Sequence, residues 1–234
     1  MYRAYHDKNL ALMSEAPKNF LKALNLPSNP TYEEIACEGC RSSLTFFYCL
    51  RCDIRKCAAD KGLMCPGYDP RGLKGVALAY AVSCRGACHL RHMAYRPNLT
   101  GQKPFRKEAL NRLSYQEQAE VVAELEDFHT IVDCMVLCKF VCLPTIGPIL
   151  WDELTKLYTI ITGKETRKED LIKVARNINT TIRKFNQREG LNRSDDTLPQ
   201  RFFNEGLRTG ASKGEKIQKQ EFEKMLNEYY KLRE

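Results

Sequence analysis

Eleven cysteines in 234 residues constrain this chain more than any other feature, because six of them (Cys37, Cys40, Cys49, Cys52, Cys57 and Cys65) fall within 29 residues. What such a cluster can become depends on the compartment. The N-terminus, MYRAYHDKNLALMSEAPKNF, is charged throughout and lacks the apolar centre of a secretory signal. No run of 18 apolar residues marks a transmembrane helix. The expected setting is therefore the cytoplasm, with no membrane partner, where clustered thiols read as metal ligands or buried side chains rather than disulfides.

Two C-x2-C pairs, Cys37 with Cys40 and Cys49 with Cys52, are separated by eight residues that include LTFFY, a candidate strand. A C-x2-C pair on a tight turn aims both sulfurs at one point, and two pairs close a tetrahedral thiolate site for zinc. Cys49, Cys52 and Cys57 form C-x2-C-x4-C, longer than the run that holds bacterial iron–sulfur clusters, so zinc is the expected metal. These residues delimit an expected cysteine-rich metal-binding module over 1–66. Its phrase Ile54 to Ala58 with Lys61-Gly62 resembles a small cysteine-rich family of unknown function, whose N-terminal half has no counterpart expected in residues 1–36.

From residue 67 to 234 the pattern is helical, and the fold class is mainly α. LKGVALAYAV reads as a helix packed closely through its Gly and Ala positions. Residues 104–142 read as one long helix, on which Cys134, Cys138 and Cys142 share a face and serve as core. Residues 149–162 and 168–188 read as helices stopped by Gly163 and Gly190. The chain closes with QEFEKMLNEYYKLRE, whose Phe222, Met225, Leu226, Tyr229 and Leu232 lie on one face. The net charge of +8 comes from 37 bases mixed with 29 acids, and the bases are not interleaved with aromatics, which argues against a nucleic-acid partner. No P-loop, dinucleotide fingerprint, nucleophile elbow or H-E-x-x-H is present.

Chemistry-bearing residues concentrate in YDPRGLKGVALAYAVSCRGACHLRH, residues 68–92. This stretch, through its YDPRGLKG phrase (68–75) and its RGACHLR run (85–91), and three later phrases, DCMVLCKF (133–140), FNQREGLNRSDDTLPQRF (185–202) and LNEYYKLR (226–233), resemble the C-terminal helical part of the tungsten-containing aldehyde ferredoxin oxidoreductases. The resemblance implies tungstopterin (or molybdopterin) and a [4Fe-4S] cluster, aldehyde substrates oxidised to carboxylic acids, and ferredoxin as electron acceptor. It implies that Asp133 and Leu137-Cys138 match the family's D-x-x-G-L-C element, the aspartate facing pterin nitrogens and Cys138 serving as a cluster thiolate. Arg85, Gly86, His89 and Arg91 match a second pterin-side element, with His89 preferred over His92 as the proton-transferring group. Val136 stands where the family has glycine. The family's β-rich pterin domain, its C-x2-C-x3-C run and its acidic residue near the metal have no counterpart in these 234 residues. The expectation is thus an oxidoreductase that needs a separate pterin-binding subunit. A non-catalytic zinc-binding scaffold or interaction protein is the alternative.

Overall fold

A computed structural model describes residues 59–60, 63–144 and 147–233 of the chain. The zinc candidates Cys37, Cys40, Cys49, Cys52 and Cys57 lie outside the described residues. A minimal antiparallel pair, β1 (Ala59–Asp60) and β2 (Leu63–Met64), leads into a helical body. Its helices are α1 (Lys74–Val82), α2 (Tyr95–Thr100), α3 (Gln118–Cys134), α4 (Trp151–Thr162), α5 (Lys168–Arg188), α6 (Gln200–Asn204) and α7 (Lys219–Lys231). The expected mainly α fold is what forms.

Helix α3 is the central pillar. Its first half gives Val121, Val122 and Leu125 to a core shared with α1, α2 and α7, and its second half gives Phe128, Ile131 and Val132 to a core shared with α4 and α5. Every residue of α1 is buried, as its small-residue sequence leads one to expect. Close approach is needed at Gly75, where a Cβ would come 2.3 Å from Oε1 of Gln118. The Gly75 N–H donates to Asn98 Oδ1 (3.0 Å), and Asn98 Nδ2 donates to Gln118 Oε1 (2.9 Å), so three helices meet through one satisfied buried network.

The phrase YDPRGLKG fastens the start of α1. Arg71 holds Asp69 through two nitrogens (3.0 and 2.7 Å) and donates to the Glu205 carbonyl (3.1 Å). Buried Lys74 places its ammonium against the Arg71 carbonyl (2.7 Å), the Lys216 carbonyl (3.0 Å) and Glu215 (3.0 Å), which accounts for all three of its donors. A lysine inside a core is tolerated only under such coordination.

The long helix expected over 104–142 is corrected to α3 alone. Residues 102–117 instead fold as turns with an isolated bridge, Gln102 to Ala109, and with Phe105 and Glu117 at positive φ. Lys103 reaches both Glu108 and Glu117 across this loop, which rewards the compact turn over a helix. At its other end α3 stops after Cys134, so Cys134, Cys138 and Cys142 do not share a helical face. Cys134 and Cys138 are exposed and only Cys142 is buried. The α4 and α5 stops at Gly163 and Gly190 form as expected, both glycines at positive φ. On α7, Phe222, Met225, Leu226 and Tyr229 are buried while Leu232, just past the last turn, is exposed.

Candidate functional site

The site is built where the turn after α1 meets the turn after α3. Beyond Val82 the chain reverses through Gly86 at φ +95°, a conformation that suits glycine. Here Arg85 donates through Nη2 to Cys88 Sγ (2.9 Å). Half-buried His89 sits 5.6 Å from the Tyr68 ring and 5.9 Å from the Tyr95 ring, the two tyrosines being stacked on each other at 3.9 Å. Burial, and then the Arg85 charge, pull the His89 imidazole below its usual range.

The end of α3 has an ordered stop. The Val136 N–H donates to the Asp133 carbonyl and the Leu137 N–H to the Val132 carbonyl, both at 3.1 Å. This is the Schellman pattern, with Leu137 packed against the second core, to which Val132 belongs. The same pattern ends α5, where Gly190 takes the left-handed position and Leu191 donates to Asn186 (3.0 Å). In α3 that position is Val136, at φ +56° and 90% exposed. A β-branched residue there is strained and packs against little in return. Val136→Gly is expected to raise unfolding free energy by about 0.5–1 kcal/mol, the relief of the left-handed cost less glycine's added chain entropy. A urea midpoint equal to or below that of the parent protein would contradict it.

This stop turns the next residues back across Asp133. Arg91 Nη1 lies 3.2 Å from Asp133 Oδ2 and Lys139 Nζ lies 2.7 Å from Asp133 Oδ1, so one carboxylate is held from two sides. The structure thus joins Arg91 to Asp133 across 42 residues of sequence. Cys138 is exposed on the same turn, beside the exposed Val136 and Phe140. It is not gathered with further ligands: among the described residues, no group of three His, Cys, Asp or Glu is placed to hold a metal ion. His92 and His129 are both buried.

Sequence reasoning missed Lys139 and Cys88, although both lie inside quoted phrases. Lys139 carries no local pattern, and its role appears only because the chain reverses at Val136. Cys88, four residues after Cys84, had no metal-type spacing to single it out.

A family model for aldehyde ferredoxin oxidoreductase, domains 2 and 3, matches residues 52–234. Another family, described as a protein of unknown function, matches residues 3–67. That second match begins at residue 3, which overturns the expectation that residues 1–36 have no counterpart in it. The chain is 33% identical over 174 residues to the tungsten-containing aldehyde ferredoxin oxidoreductase of Pyrococcus furiosus, and equally to that of Thermococcus kodakarensis, covering 74% of this chain and 27% of each relative. The Pyrococcus horikoshii protein of the same name is 33% identical over 169 residues, 72% of this chain and 26% of the relative. The chain therefore spans about a quarter of the length of these curated relatives. Among the described residues no helix is long and apolar enough to cross a membrane.

Proposed function

The chain belongs to the aldehyde ferredoxin oxidoreductase family, matched over residues 52–234, and on that premise we propose that residues 85–91 and 133–138 form one wall of a tungstopterin and iron–sulfur site for oxidising aldehydes to carboxylic acids. Ferredoxin takes the electrons, and a separate pterin-binding domain closes the other side. The observation that carries this reading is the Arg91–Asp133 contact, which brings the two motif segments into one surface.

The residues fit one side of such a group. Asp133 offers a carboxylate on a surface to pterin N–H donors, while Arg91 and Lys139 fix its orientation and offer positive charge to phosphate. Cys138 offers an exposed thiol on the same turn. When bound, the metal–pterin group supplies the two-electron chemistry at the carbonyl carbon and the cluster passes electrons onward. His89, whose imidazole burial and Arg85 keep neutral at pH 7, accepts a proton at its unprotonated ring nitrogen. The apolar lip of Val136, Phe140 and Val141 beside these groups is the kind of surface a second domain covers. A single thiol cannot hold a cluster, so the remaining thiolates come from the other domain or from residues outside those described.

The test is metal analysis of the anaerobically purified full chain, alone and co-expressed with a β-rich pterin domain. Tungsten and about four irons per complex are expected with that domain supplied, with iron falling on Cys138→Ser and tungsten on Asp133→Ala. Zinc alone under both conditions overturns the reading in favour of a zinc-binding scaffold.

A further inference from the structure

Helix α5 carries more apolar surface than the chain's own core covers. Its Leu171 and Ala175 are buried in the second core with α3 and α4. Val174 is 47% exposed and Phe185 58%, and Thr181 is exposed as well. With half-buried Ile178, these residues fall at 174, 178, 181 and 185, the alternating four and three spacing of a coiled-coil seam. An open groove of about 290 Å³ lies on it, lined by Val174, Asn177, Ile178, Thr181 and Ile182.

One edge of the seam carries an ordered set of charges. Asp170, Asn177 and Lys184 recur every seven residues, all exposed, and line that edge as acid, amide and base. Oδ2 of Asp170 accepts from the Arg167 N–H at the helix start (3.0 Å), while Oδ1 takes no bond among the described residues. Lys184 makes no ion pair among the described residues. About four turns of helix, roughly 21 Å, separate the two charges, so they cannot meet within one copy.

We propose that this face of α5 pairs with the same face of a second copy of the chain, the two helices antiparallel about a two-fold axis at Asn177. In that register Asp170 of each copy meets Lys184 of the other, and the two Asn177 amides meet at the axis. Val174 packs on Ile178 of the second copy, once on each side of the axis. Phe185 covers the stem and guanidinium of the second copy's Arg167, a side chain 79% exposed in the single chain. Parallel pairing would instead bring together the two acidic first turns, with Glu169 and Asp170, and the two last turns, with Arg188. The face complements itself, which favours a second copy over an unrelated domain, and such a contact closes with two chains. One helix pair is a small interface, so half-association is expected at about 10 μM.

The test is sedimentation velocity of the reduced full chain from about 1 μM to about 100 μM. It needs neither metal nor pterin, so its outcome is independent of the oxidoreductase reading. A monomer–dimer transition is expected in that range. Lys184→Glu sets like charges together at both ends and is expected to weaken association about tenfold. Asp170→Asn, which keeps an acceptor for the Arg167 N–H, is expected to recover most of that loss when combined with Lys184→Glu and to bring no gain by itself. Phe185→Glu, at an exposed position, is expected to abolish the dimer with the helical circular dichroism unchanged. The proposal is overturned if the full chain stays monomeric throughout, which would assign the face to another domain. It is equally overturned if a dimer forms that is indifferent to Lys184→Glu and Phe185→Glu, or if Asp170→Asn does not offset Lys184→Glu.

Discussion

Arg233→Ala is expected to lower unfolding free energy by about 3 kcal/mol. Arg233 holds the middle of α3 from α7. Its Nη1 lies 2.6 Å from Asp127, and its Nη2 lies 2.6 Å from Glu126 and donates to the Ala123 carbonyl at 2.8 Å. Tyr229 donates to the same Glu126 oxygen (2.5 Å). Asp127 keeps partial compensation from Arg176 (3.4 Å) and Asn179 (3.3 Å), which places the cost at the lower end for a broken buried pair. Among the described residues Glu126 has no second ion pair.

The loss also has a pH signature. Burial pushes the Glu126 carboxyl up, and Arg233 is the largest influence pulling it down. Without Arg233 its folded pKa rises further above the unfolded value, so the variant's folded state binds this proton more tightly as pH falls. The deficit of Arg233→Ala relative to the parent is expected to shrink between pH 8 and pH 5, measured by urea unfolding at each pH. A deficit below about 1 kcal/mol, or one that grows on acidification, would show that the cluster behaves as a solvated surface network.

The parent protein itself is expected to be acid-labile well above the carboxylate range. Burial, with lesser contributions from His89 and Lys139, pulls His92 down to about 3, against a backbone hydrogen bond at Ala79 that opposes the shift. His129 is likewise pulled well below 6.5, by burial first and then by Lys139 and His92. Among the described residues, neither ring nitrogen of His129 meets a hydrogen-bond partner, and its ring packs edge-on against Phe128 at 5.2 Å. Both histidines are therefore neutral when folded and protonated when unfolded below pH 6.5. The stability they preserve is complete above pH 6.5 and is lost as pH falls toward the folded values. From His92 alone about 2 kcal/mol is lost between pH 7 and pH 5, with His129 adding in the same direction. Unfolding midpoints that stay level from pH 7 to pH 5 would mean that these imidazoles are hydrated in solution.

Legibility followed how local each feature is. The stops at Gly163 and Gly190 could be read because a left-handed residue after a helix selects glycine by a single-residue preference. The stop at Val136 could not, since the same turn is imposed there on a residue that disfavours it, by the Leu137 N–H bond to the Val132 carbonyl and the return of Lys139 to Asp133. Residues 104–117 form turns in place of the expected helix for a related reason. Their apolar spacing suits a helix, but Lys103 gains two carboxylate partners only when the segment folds as turns. In the candidate site, Arg91 and Asp133 were singled out as residues with a ligand-facing role, yet their pairing with each other was not.

The sequence by itself determined the helical class, the small-residue character of α1, the glycine stops of α4 and α5 and the phrases that place the chain in its family, because each depends on residue type at short spacing. Tertiary structure alone decided that Arg91, Asp133 and Lys139 meet, that Cys88 rather than a surface group receives Arg85, and that Arg233 reaches Glu126 and Asp127. Ion pairing and desolvation depend on separation in space, and two side chains 42 or 107 residues apart in sequence acquire that separation only when the helices pack.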